Sequence, residues 1–467
     1  DGDGEGEGGD EAGDVGDDAP AGPGLDHTNN EEEASSNAAE ALHNERYIQR
    51  CWENGVLAIV YAVPKYRGAY VALTGSVEDM QSMLCFDIHS VALAPGVSMI
   101  LKSNTTRTTL TESTTELKMS DKIFYEVKLV KNGQPVAYRG PRVPYEQMLS
   151  RFHAEEQTKG QHHASKFRFD ESGQYILKMM KKRHRGNDRK KGYILKRSNK
   201  IPEMAAWPSP EACFIQTHVY SAQQGCHHDK YWLDLARDYV PLSGGVATDL
   251  TKKDGNIAAI ENAFFGLENG TILDVDTATR ATGKFCGLDV KHVDIHGNKK
   301  LTIDREGAKK YRNSKGGVKG QLDLIGRFLT QGGARSVKDT APLLVEDLKK
   351  VAKLLSKQTT ALLWDSSIIM VFGNNARTGN LEARVRVIDF GMESHVYKDR
   401  YPRFAPRQGK SLSHMCNFGC GAEELALRIE SYAKGKKGGS SNCLASCERA
   451  RKPNCMPLSN MNGMRAD

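Results

Sequence analysis

Two apolar segments in the last third of the chain each carry one aspartate. The run TTALLWDSSIIMVFG contains Asp365 just before a predicted buried strand, and EARVRVIDFGMES contains Asp389 at the end of the next strand. Short apolar runs bounded by polar residues are typical of strands, and the polar loop between them predicts a β-hairpin. Such a hairpin can hold both carboxylates in one cleft, where one serves as a base and the other binds a metal ion.

Length and composition predict a soluble globular protein of two to three domains, because the chain has 467 residues with 39% hydrophobic and 26% charged content. It contains no apolar run of about 18 residues, so no transmembrane helix is predicted. The start, DGDGEGEGGDEAGD, lacks the basic and apolar regions of a signal peptide. These features predict a cytoplasmic protein.

The cysteines predict reduced thiols, because the ten of them follow no regular spacing. One group lacks the usual CxxC spacing and is interpreted as structural cysteine rather than a zinc site. Its members are His414, Cys416, Cys420, Cys443, Cys447 and Cys455.

Charge is distributed unevenly along the chain. Residues 1–43 carry only acidic charges and are rich in Gly and Asp, which predicts a disordered acidic tail. Residues 436–467 predict a disordered basic tail that contains cysteine. Since the net charge is nevertheless +7, the remaining body is basic and predicts an anionic partner. A phosphate-rich ligand, nucleic acid and an acidic membrane surface all satisfy this composition.

Residues 44–142 are predicted to be rich in strands, with a hairpin turn at Asn132–Gly133. Three roles stay open for this region: an extension of a neighbouring lobe, a surface for homodimer formation, or a separate domain. Beyond it, the pattern predicts a helix at 342–359 and further strands. The predicted strands are 257–265, 284–295, 366–372 and 384–390.

Three more segments supply candidate site residues. The predicted strand pair in SKFRFDESGQYILKMMKK ends at Lys178, where an ammonium can lie over nucleotide phosphates. NIAAIENAFFG suits a hinge whose backbone reads adenine, or else a buried strand with a bend. KFCGLDVKHVD places Asp289 and Lys291 two apart, hence on one face of a strand, where they can pair or handle a phosphorylated substrate.

These segments resemble, in sequence and in order, the catalytic core of phosphatidylinositol phosphate kinases. FRFDESGQYILKMM, ENAFFG, LDVK, WDSSII and VIDF stand where that family has a strand pair ending in an IIK-type lysine, an NNxF hinge, DLKGS, MDYSLL and IID. The resemblance covers about residues 143–435. It implies an α+β, two-lobed, SAICAR synthase-like fold with antiparallel sheets in both lobes.

The resemblance also implies roles for individual residues. ATP and Mg²⁺ are the expected cofactors; Lys178 would bind the ATP phosphates, and Asp389 would hold the metal, joined by Asp289. Asp365 would orient the acceptor hydroxyl and take its proton, with Ser367 supporting it. The remaining implied contacts are Ser165, Glu261, Asn262 and Phe264 for the nucleotide, and Asp289, Lys291, Lys398, Arg400 and Arg403 for the substrate.

The implied activity is that of a lipid kinase, a phosphotransferase with an alcohol acceptor. A phosphatidylinositol-4-phosphate 5-kinase is expected first and a phosphatidylinositol-3-phosphate 5-kinase of the type III branch second. The basic and aromatic segment around Lys398, Arg400 and Arg403 suits peripheral docking on an anionic, phosphoinositide-bearing membrane.

Other interpretations stay open. A soluble inositol polyphosphate kinase, with its PxxxDxKxG, SSLL and IDF strands, fits FCGLDVKHV, DSSIIMVF and VIDF almost as well. The glycine loop GKSGS aligns with residues 161–165 and keeps only Ser165, which leaves a catalytically weak, lipid-binding pseudokinase open. No nucleic-acid-binding signature appears, so a non-catalytic module for membrane or nucleic acid ranks last.

Overall fold

The structure is a computed structural model in which part of the chain is described. The described residues are 45–77, 80, 87–103, 105–117, 126–138, 145–153, 168–180, 214–248, 256–277, 288–295, 303, 305–315, 318–331, 337–358, 361–363, 366–390, 395–396 and 417–435. The chain divides into two units, Asp1–Glu45 and Arg46–Asp467. The two predicted tails, 1–43 and 436–467, lie outside the described residues.

The helices and strands are numbered in chain order. The first part contains helix α1 (residues 45–53), β1 (Ala58–Val63), β2 (Arg67–Leu73), β3 (Ser90–Leu93), β4 (Val97–Lys102), β5 (Arg107–Leu110), β6 (Glu126–Lys131), β7 (Gln134–Pro135), α2 (Tyr145–Ser150), β8 (Phe152–His153), β9 (Arg168–Asp170) and β10 (Tyr175–Met180). The second part contains a π-helical segment (Ile215–Tyr220) continued by Ser221–Gln223, then α3 (Lys230–Asp238), β11 (Ser243–Thr248), β12 (Asn256–Glu261), β13 (Leu267–Asp276), β14 (Asp289–Ile295), α4 (Arg305–Lys315), α5 (Val318–Gln331), α6 (Val337–Lys357), β15 (Ala361–Leu362), β16 (Ser367–Asn375), β17 (Leu381–Ile388), β18 (His395–Val396) and α7 (Asn417–Ala433).

The N-terminal strands form two small sheets, ordered β2-β1-β3 and β5-β4-β6-β7. In β4, buried and half-buried residues alternate, as expected for a strand with one face on a core. The turn between β6 and β7 confirms the predicted hairpin, because Asn132 and Gly133 have φ of 51° and 78°. Positive φ at both central residues is what a type I′ turn requires.

Two further antiparallel sheets follow, ordered β11-β12-β10-β9-β8 and β14-β13-β16-β17. The short turn from Asn262 to Gly266 joins β12 of the first sheet to β13 of the second. Helices α5, α6 and α7 pack with the second sheet around one apolar core that includes Phe328, Leu348 and Met370. The architecture is therefore α+β with antiparallel sheets, as expected.

Helix α6 begins earlier than predicted. The expected start is Pro342, a favourable first position, but the helix begins at Val337 and contains Pro342. Proline removes one backbone hydrogen bond, and here it lies on the exposed side of the helix. The buried stripe through Ala341, Leu344 and Leu348 offsets that loss.

No helix among the described residues is long and apolar enough to cross a bilayer.

The expectation of reduced cysteines is wrong for one pair, Cys51 and Cys226, which form a disulfide across 175 positions of sequence. Both residues are fully buried. Irregular spacing hid this bond, because it joins distant elements rather than a compact cysteine framework. In the chain-entropy model, closing so long a loop stabilises the fold by about 5 kcal/mol.

Tyrosines and histidines pack around this disulfide. Tyr47 and Tyr61 share a hydrogen bond of 2.6 Å between their hydroxyls. The Tyr70 ring lies 6.3 Å from the His218 ring and 5.9 Å from the His227 ring. Burial lowers the pKa of His218 from 6.5 to about 3 and holds the pKa of His227 well below its usual value, with nearby His228 contributing in both cases. Both buried imidazoles are therefore neutral at physiological pH.

Acid should weaken the fold through these histidines. Their pKa values are lower folded than unfolded, so their contribution is complete above pH 6.5 and is lost as the pH falls from 6.5 toward 3. Each can remove up to about 1.4 kcal/mol of stability per pH unit. Urea unfolding between pH 7 and pH 5 should show a steeper loss for the wild type than for His218→Phe. Parallel curves for the two proteins would contradict this assignment.

Candidate active site

Strand β13 carries two aspartates that are absent from the site predicted from sequence, Asp274 and Asp276. Across the sheet, Asp276 lies opposite Ser367 of β16, and Ser367 lies opposite Ile388 of β17. Asp389 follows Ile388 directly. The antiparallel register therefore brings the ends of β13 and β17 and the start of β16 to one edge of the sheet. Asp274, Asp276, Ser367 and Asp389 gather at that edge.

A β-bulge in β14 supplies the cation of this cluster. Asp274 lies opposite His292 and Val275 lies opposite Val290, so Lys291 is the extra residue between them. Bulges re-aim side chains. The Lys291 Nζ atom lies 3.2 Å from Asp276 Oδ2 and donates a hydrogen bond of 3.0 Å to Ser367 Oγ. Lys291 thus crosses β13 to reach β16.

Asp289 precedes the bulge and lies opposite Asp276, the residue with which Lys291 pairs. Asp289 Oδ1 accepts a hydrogen bond of 3.3 Å from Gln321 Nε2 on α5, while Gln321 Oε1 accepts one of 2.7 Å from the backbone N–H of Val290. Lys291 instead contacts β13 and β16. Asp289 and Lys291 thus both lie beside Asp276, while Asp289 also contacts helix α5 and Lys291 reaches β16.

The Asp274 carboxyl is the most perturbed group of the cluster. Its pKa is raised from 3.8 to about 7, mainly by burial and then by the nearby negative charge of Asp389, while Lys291 and a hydrogen bond to Ser367 act the other way. The residue is half-buried as a whole, but its Oδ1 is closed off from solvent and has no hydrogen-bond partner among the described residues. A buried carboxylate oxygen without a donor favours the protonated form of the group, in line with the raised pKa.

Asp389 adopts a backbone conformation that is rare outside glycine. Its φ is 56°, in the left-handed region. Such strain persists only where the surroundings enforce it, and it concentrates at functional sites. The residue directly follows β17, so the strand pairing and the strained turn together place its carboxylate near the cluster.

The cluster fits a divalent cation. A cation at Asp389 would offset the repulsion that raises the pKa of Asp274. Mg²⁺ usually binds proteins through one or two carboxylates and completes its shell with phosphate oxygens and water. No group of three or more His, Cys, Asp or Glu residues within the described part of the chain is arranged to hold a metal ion.

The proposed nucleotide contacts Glu261, Asn262 and Phe264 lie together where β12 meets the turn to β13. Asn262 Oδ1 accepts a hydrogen bond of 3.0 Å from the N–H of Phe264, and its Nδ2 donates one of 2.9 Å to the carbonyl of Gly173. Glu261 accepts from the N–H of Leu242 at 3.2 Å. Phe264 packs in a small apolar cluster. These side chains shape the turn.

Two arginines of β17 fasten this turn to the second sheet. Arg384 Nη1 donates to the carbonyls of Ala263 and Phe265 at 3.0 and 2.8 Å. Arg386 Nε lies 3.5 Å from Glu261 Oε2. The strand that leads into Asp389 therefore also holds the turn expected to face the nucleotide.

The remaining predicted site residues are only partly described or lie outside the described residues. Lys178 lies in β10 with its Cα opposite Ala258 of β12, and its side chain is not described. The others are Ser165, Asp365, Lys398, Arg400 and Arg403, all outside the described ranges, as are His414, Cys416, Cys443, Cys447 and Cys455. For these residues the sequence predictions stand as predictions.

Asp274 and Asp276 were not among the predicted site residues, although the sequence contains a signal for them. In GTILDVDT, two acidic residues alternate with apolar ones inside a run that otherwise suits a buried strand. A charge in such a run is rarely buried without a partner. Two of them on one face of a strand therefore indicate a site.

Comparison with known proteins gives a direct family match for this part of the chain. Residues 275–413 match the profile of the family described as inositol polyphosphate kinase. The match begins one residue after Asp274 and includes Asp276, Lys291, Ser367 and Asp389. It covers less than a third of the chain. The search of curated proteins found no match.

Two solved structures of inositol phosphate multikinases are also similar to this chain. One, from S. cerevisiae and in complex with ADP and Mn²⁺, is 11% identical, with a TM-score of 0.29, over 41% of this chain and 89% of its own. The other is 13% identical, with a TM-score of 0.29, over 42% of this chain and 91% of its own. The family match marks the chain as a kinase, that is, a phosphotransferase.

Replacing Asp274 by asparagine should stabilise the protein at neutral and alkaline pH in the absence of metal. The folded pKa of Asp274 is raised, so its stability contribution is complete below pH 3.8 and is lost as the pH rises through about 7. The advantage of Asp274→Asn should grow by up to about 1.4 kcal/mol per pH unit across this window. Urea unfolding at pH 5 and pH 8, with chelator present, measures it.

Asp347→Asn is the matched control for that measurement. Asp347 on α6 is also a partly buried carboxyl with a raised pKa, but it accepts a hydrogen bond of 3.3 Å from Tyr239 Oη and lies on a helix rather than in the carboxylate cluster. Its variant should show a weaker pH trend. Equal trends in both variants would show that Asp274 is not unusually perturbed.

Breaking the buried pair should cost much more than breaking an exposed one. Lys291→Met removes the cation from Asp276, whose side chain is 7% exposed, and should destabilise the fold by about 3 kcal/mol. Lys349→Met removes the cation from the exposed pair with Glu430 and should cost under about 1 kcal/mol. Chemical unfolding of both variants checks this. Similar losses would mean that Lys291 contributes little beyond surface charge.

Proposed function

We propose that the protein transfers the γ-phosphoryl group of ATP to a hydroxyl of a soluble inositol phosphate. The observation that supports this most directly is the match of residues 275–413 to inositol polyphosphate kinases, because it falls on the segment that carries most of the carboxylate cluster. The perturbed Asp274 stands at the edge of that segment.

In this proposal the two carboxylates of the cluster have different tasks. Asp389 holds the divalent ion, which would neutralise charge on the phosphates. Asp274 orients the acceptor hydroxyl and takes its proton, for which a pKa near neutrality is well suited. Phosphoryl transfer needs positioning more than a strong base. Asp274 thereby takes the role predicted from sequence for Asp365.

Lys291 serves the same site in two ways. Its ammonium lowers the pKa of Asp274, which favours the ionised carboxylate that a proton acceptor needs. Its contacts with Asp276 and Ser367 fix the relative positions of β13, β14 and β16.

The nucleotide side of the site is proposed from sequence. Lys178 is the proposed contact to the ATP phosphates, and the turn at Glu261 and Asn262 is proposed to face adenine.

A lipid substrate is the second candidate. The order of motifs along the chain and the basic segment with Lys398, Arg400 and Arg403 favour a phosphatidylinositol monophosphate at an anionic membrane, together with a cytoplasmic, peripherally membrane-associated location. The family match favours the soluble substrate. Both substrates share an inositol ring that carries phosphate, so the same catalytic residues would serve either one.

The substrate assay uses labelled ATP and Mg²⁺ with soluble inositol trisphosphate and, in parallel, with vesicles bearing each phosphatidylinositol monophosphate. Label should appear in the soluble product. Asp389→Asn and Asp274→Asn should each lower kcat by about a hundredfold or more, because they remove a metal ligand and a proton acceptor. Asp347→Asn should retain the wild-type rate.

The outcomes of this assay separate the candidates. Label only in lipid would replace the soluble substrate with the lipid one. No transfer to any substrate would overturn both. Transfer that survives in Asp274→Asn would return the proton-accepting role to Asp365.

A further inference from the structure

An aromatic stack sits directly behind Asp389. Phe390 is buried, and its ring stacks on the Phe214 ring with centroids 5.1 Å apart and planes inclined by 24°. Trp232 of α3 meets both rings edge-on, at 5.5 Å from Phe214 and 6.3 Å from Phe390. Aromatic pairs in such geometries contribute beyond their buried area. The stack therefore fixes the residue that follows the metal-binding carboxylate.

The stack has a direct consequence for the Asp389 backbone. A left-handed φ of 56° is unfavourable for a residue with a Cβ atom, so neighbouring contacts must hold it. Asp389 lies between Ile388, paired in the sheet, and Phe390, held in the stack. The stack is therefore the anchor on the C-terminal side of this strained residue.

Phe214 belongs to a segment that is anchored at its far end by the disulfide. From Phe214 the chain runs through the π-helical turn to Cys226, bonded to Cys51 of α1. The His218 ring lies 5.2 Å from the Phe214 ring, and Trp232 Nε1 donates a hydrogen bond of 3.0 Å to the His218 carbonyl. Contacts thus run without a break from the disulfide to Phe390.

The N-terminal sheet β2-β1-β3 also contacts the segment from Phe214 to Cys226. The N–H of Ala72 in β2 donates a hydrogen bond of 3.2 Å to Ser221 Oγ, and Tyr70 Oη donates one of 3.4 Å to the Cys226 carbonyl. Cys226 is fully buried in an apolar cluster with Cys51 and Tyr61. The disulfide is therefore the covalent part of a contact between the N-terminal strands and the segment that supports Asp389.

We propose that Phe214 is a positioning residue for Asp389, acting through Phe390, and that the Cys51–Cys226 disulfide maintains this position, so that reducing the bond weakens divalent-cation binding. The proposal deepens the proposed function and rests on it only in taking Asp389 as the cation ligand. It gives the N-terminal strands a role in a site to which they contribute no carboxylate.

The first test changes the stack alone. Phe214→Leu keeps an apolar side chain but removes the ring, and it should raise the Kd for Mn²⁺ in the presence of ADP, measured by electron paramagnetic resonance, by about fivefold. The Mg²⁺ concentration for half-maximal activity should rise in parallel. Phe328→Leu removes a fully buried ring that pairs with Phe372 at 4.9 Å in the same core. That control should leave Mn²⁺ binding unchanged.

The second test changes the disulfide. Wild-type protein treated with a thiol reductant, and the Cys51→Ser/Cys226→Ser variant, should both bind Mn²⁺ more weakly, while circular dichroism shows retained secondary structure. Wild-type affinity in Phe214→Leu overturns the positioning role. Wild-type affinity in the reduced protein and in the double variant overturns the role of the disulfide.

These measurements are separable from the substrate assay. If the wild type binds Mn²⁺ with ADP but phosphorylates no inositol phosphate, the proposed function fails. The shift in Phe214→Leu then still supports positioning. If Asp389→Asn binds Mn²⁺ like the wild type, the cation lies elsewhere and the positioning proposal is overturned.

Discussion

The burial of the Asp274 carboxyl beside the charged Asp389 is the constraint on which the candidate site depends. Two carboxylates near each other at the edge of one sheet cannot both ionise at low cost unless a cation or a proton compensates them. In this fold Lys291 supplies part of that charge from a neighbouring strand. The negative charge that Lys291 leaves uncompensated can be neutralised by a divalent ion or by a proton from a substrate hydroxyl. The uncompensated charge that destabilises the unliganded site therefore suits it to phosphoryl transfer.

The backbone creates this arrangement through two irregularities. The bulge at Lys291 turns a side chain across β13 toward Ser367, and the left-handed conformation at Asp389 turns a carboxylate from the end of β17. Regular strands would send these side chains to positions set by simple alternation. The regular sheet supplies the register, and the irregular positions supply the chemistry.

The sequence predicted much of the fold but only part of the site. Apolar runs located β16 and β17, and Asn132–Gly133 located a hairpin, because both depend on local preference. The importance of β13 escaped prediction because it depends on long-range register: Asp276 meets Ser367 only across a strand pair separated by about ninety residues. The Cys51–Cys226 bond is likewise non-local. A bulge such as that at Lys291 likewise leaves no mark in hydrophobic periodicity.

The most direct test is a crystal structure of the protein with ADP and Mn²⁺, in which anomalous scattering locates the metal. We expect the Mn²⁺ peak within bonding distance of an Asp389 oxygen, at about 2.0–2.3 Å as for hard cations bound by oxygen, with the Asp274 carboxylate facing the same phosphates. A peak bound by Asp289 and Gln321, or one remote from Asp389, would contradict the assignment of β13 and β17 as the catalytic edge.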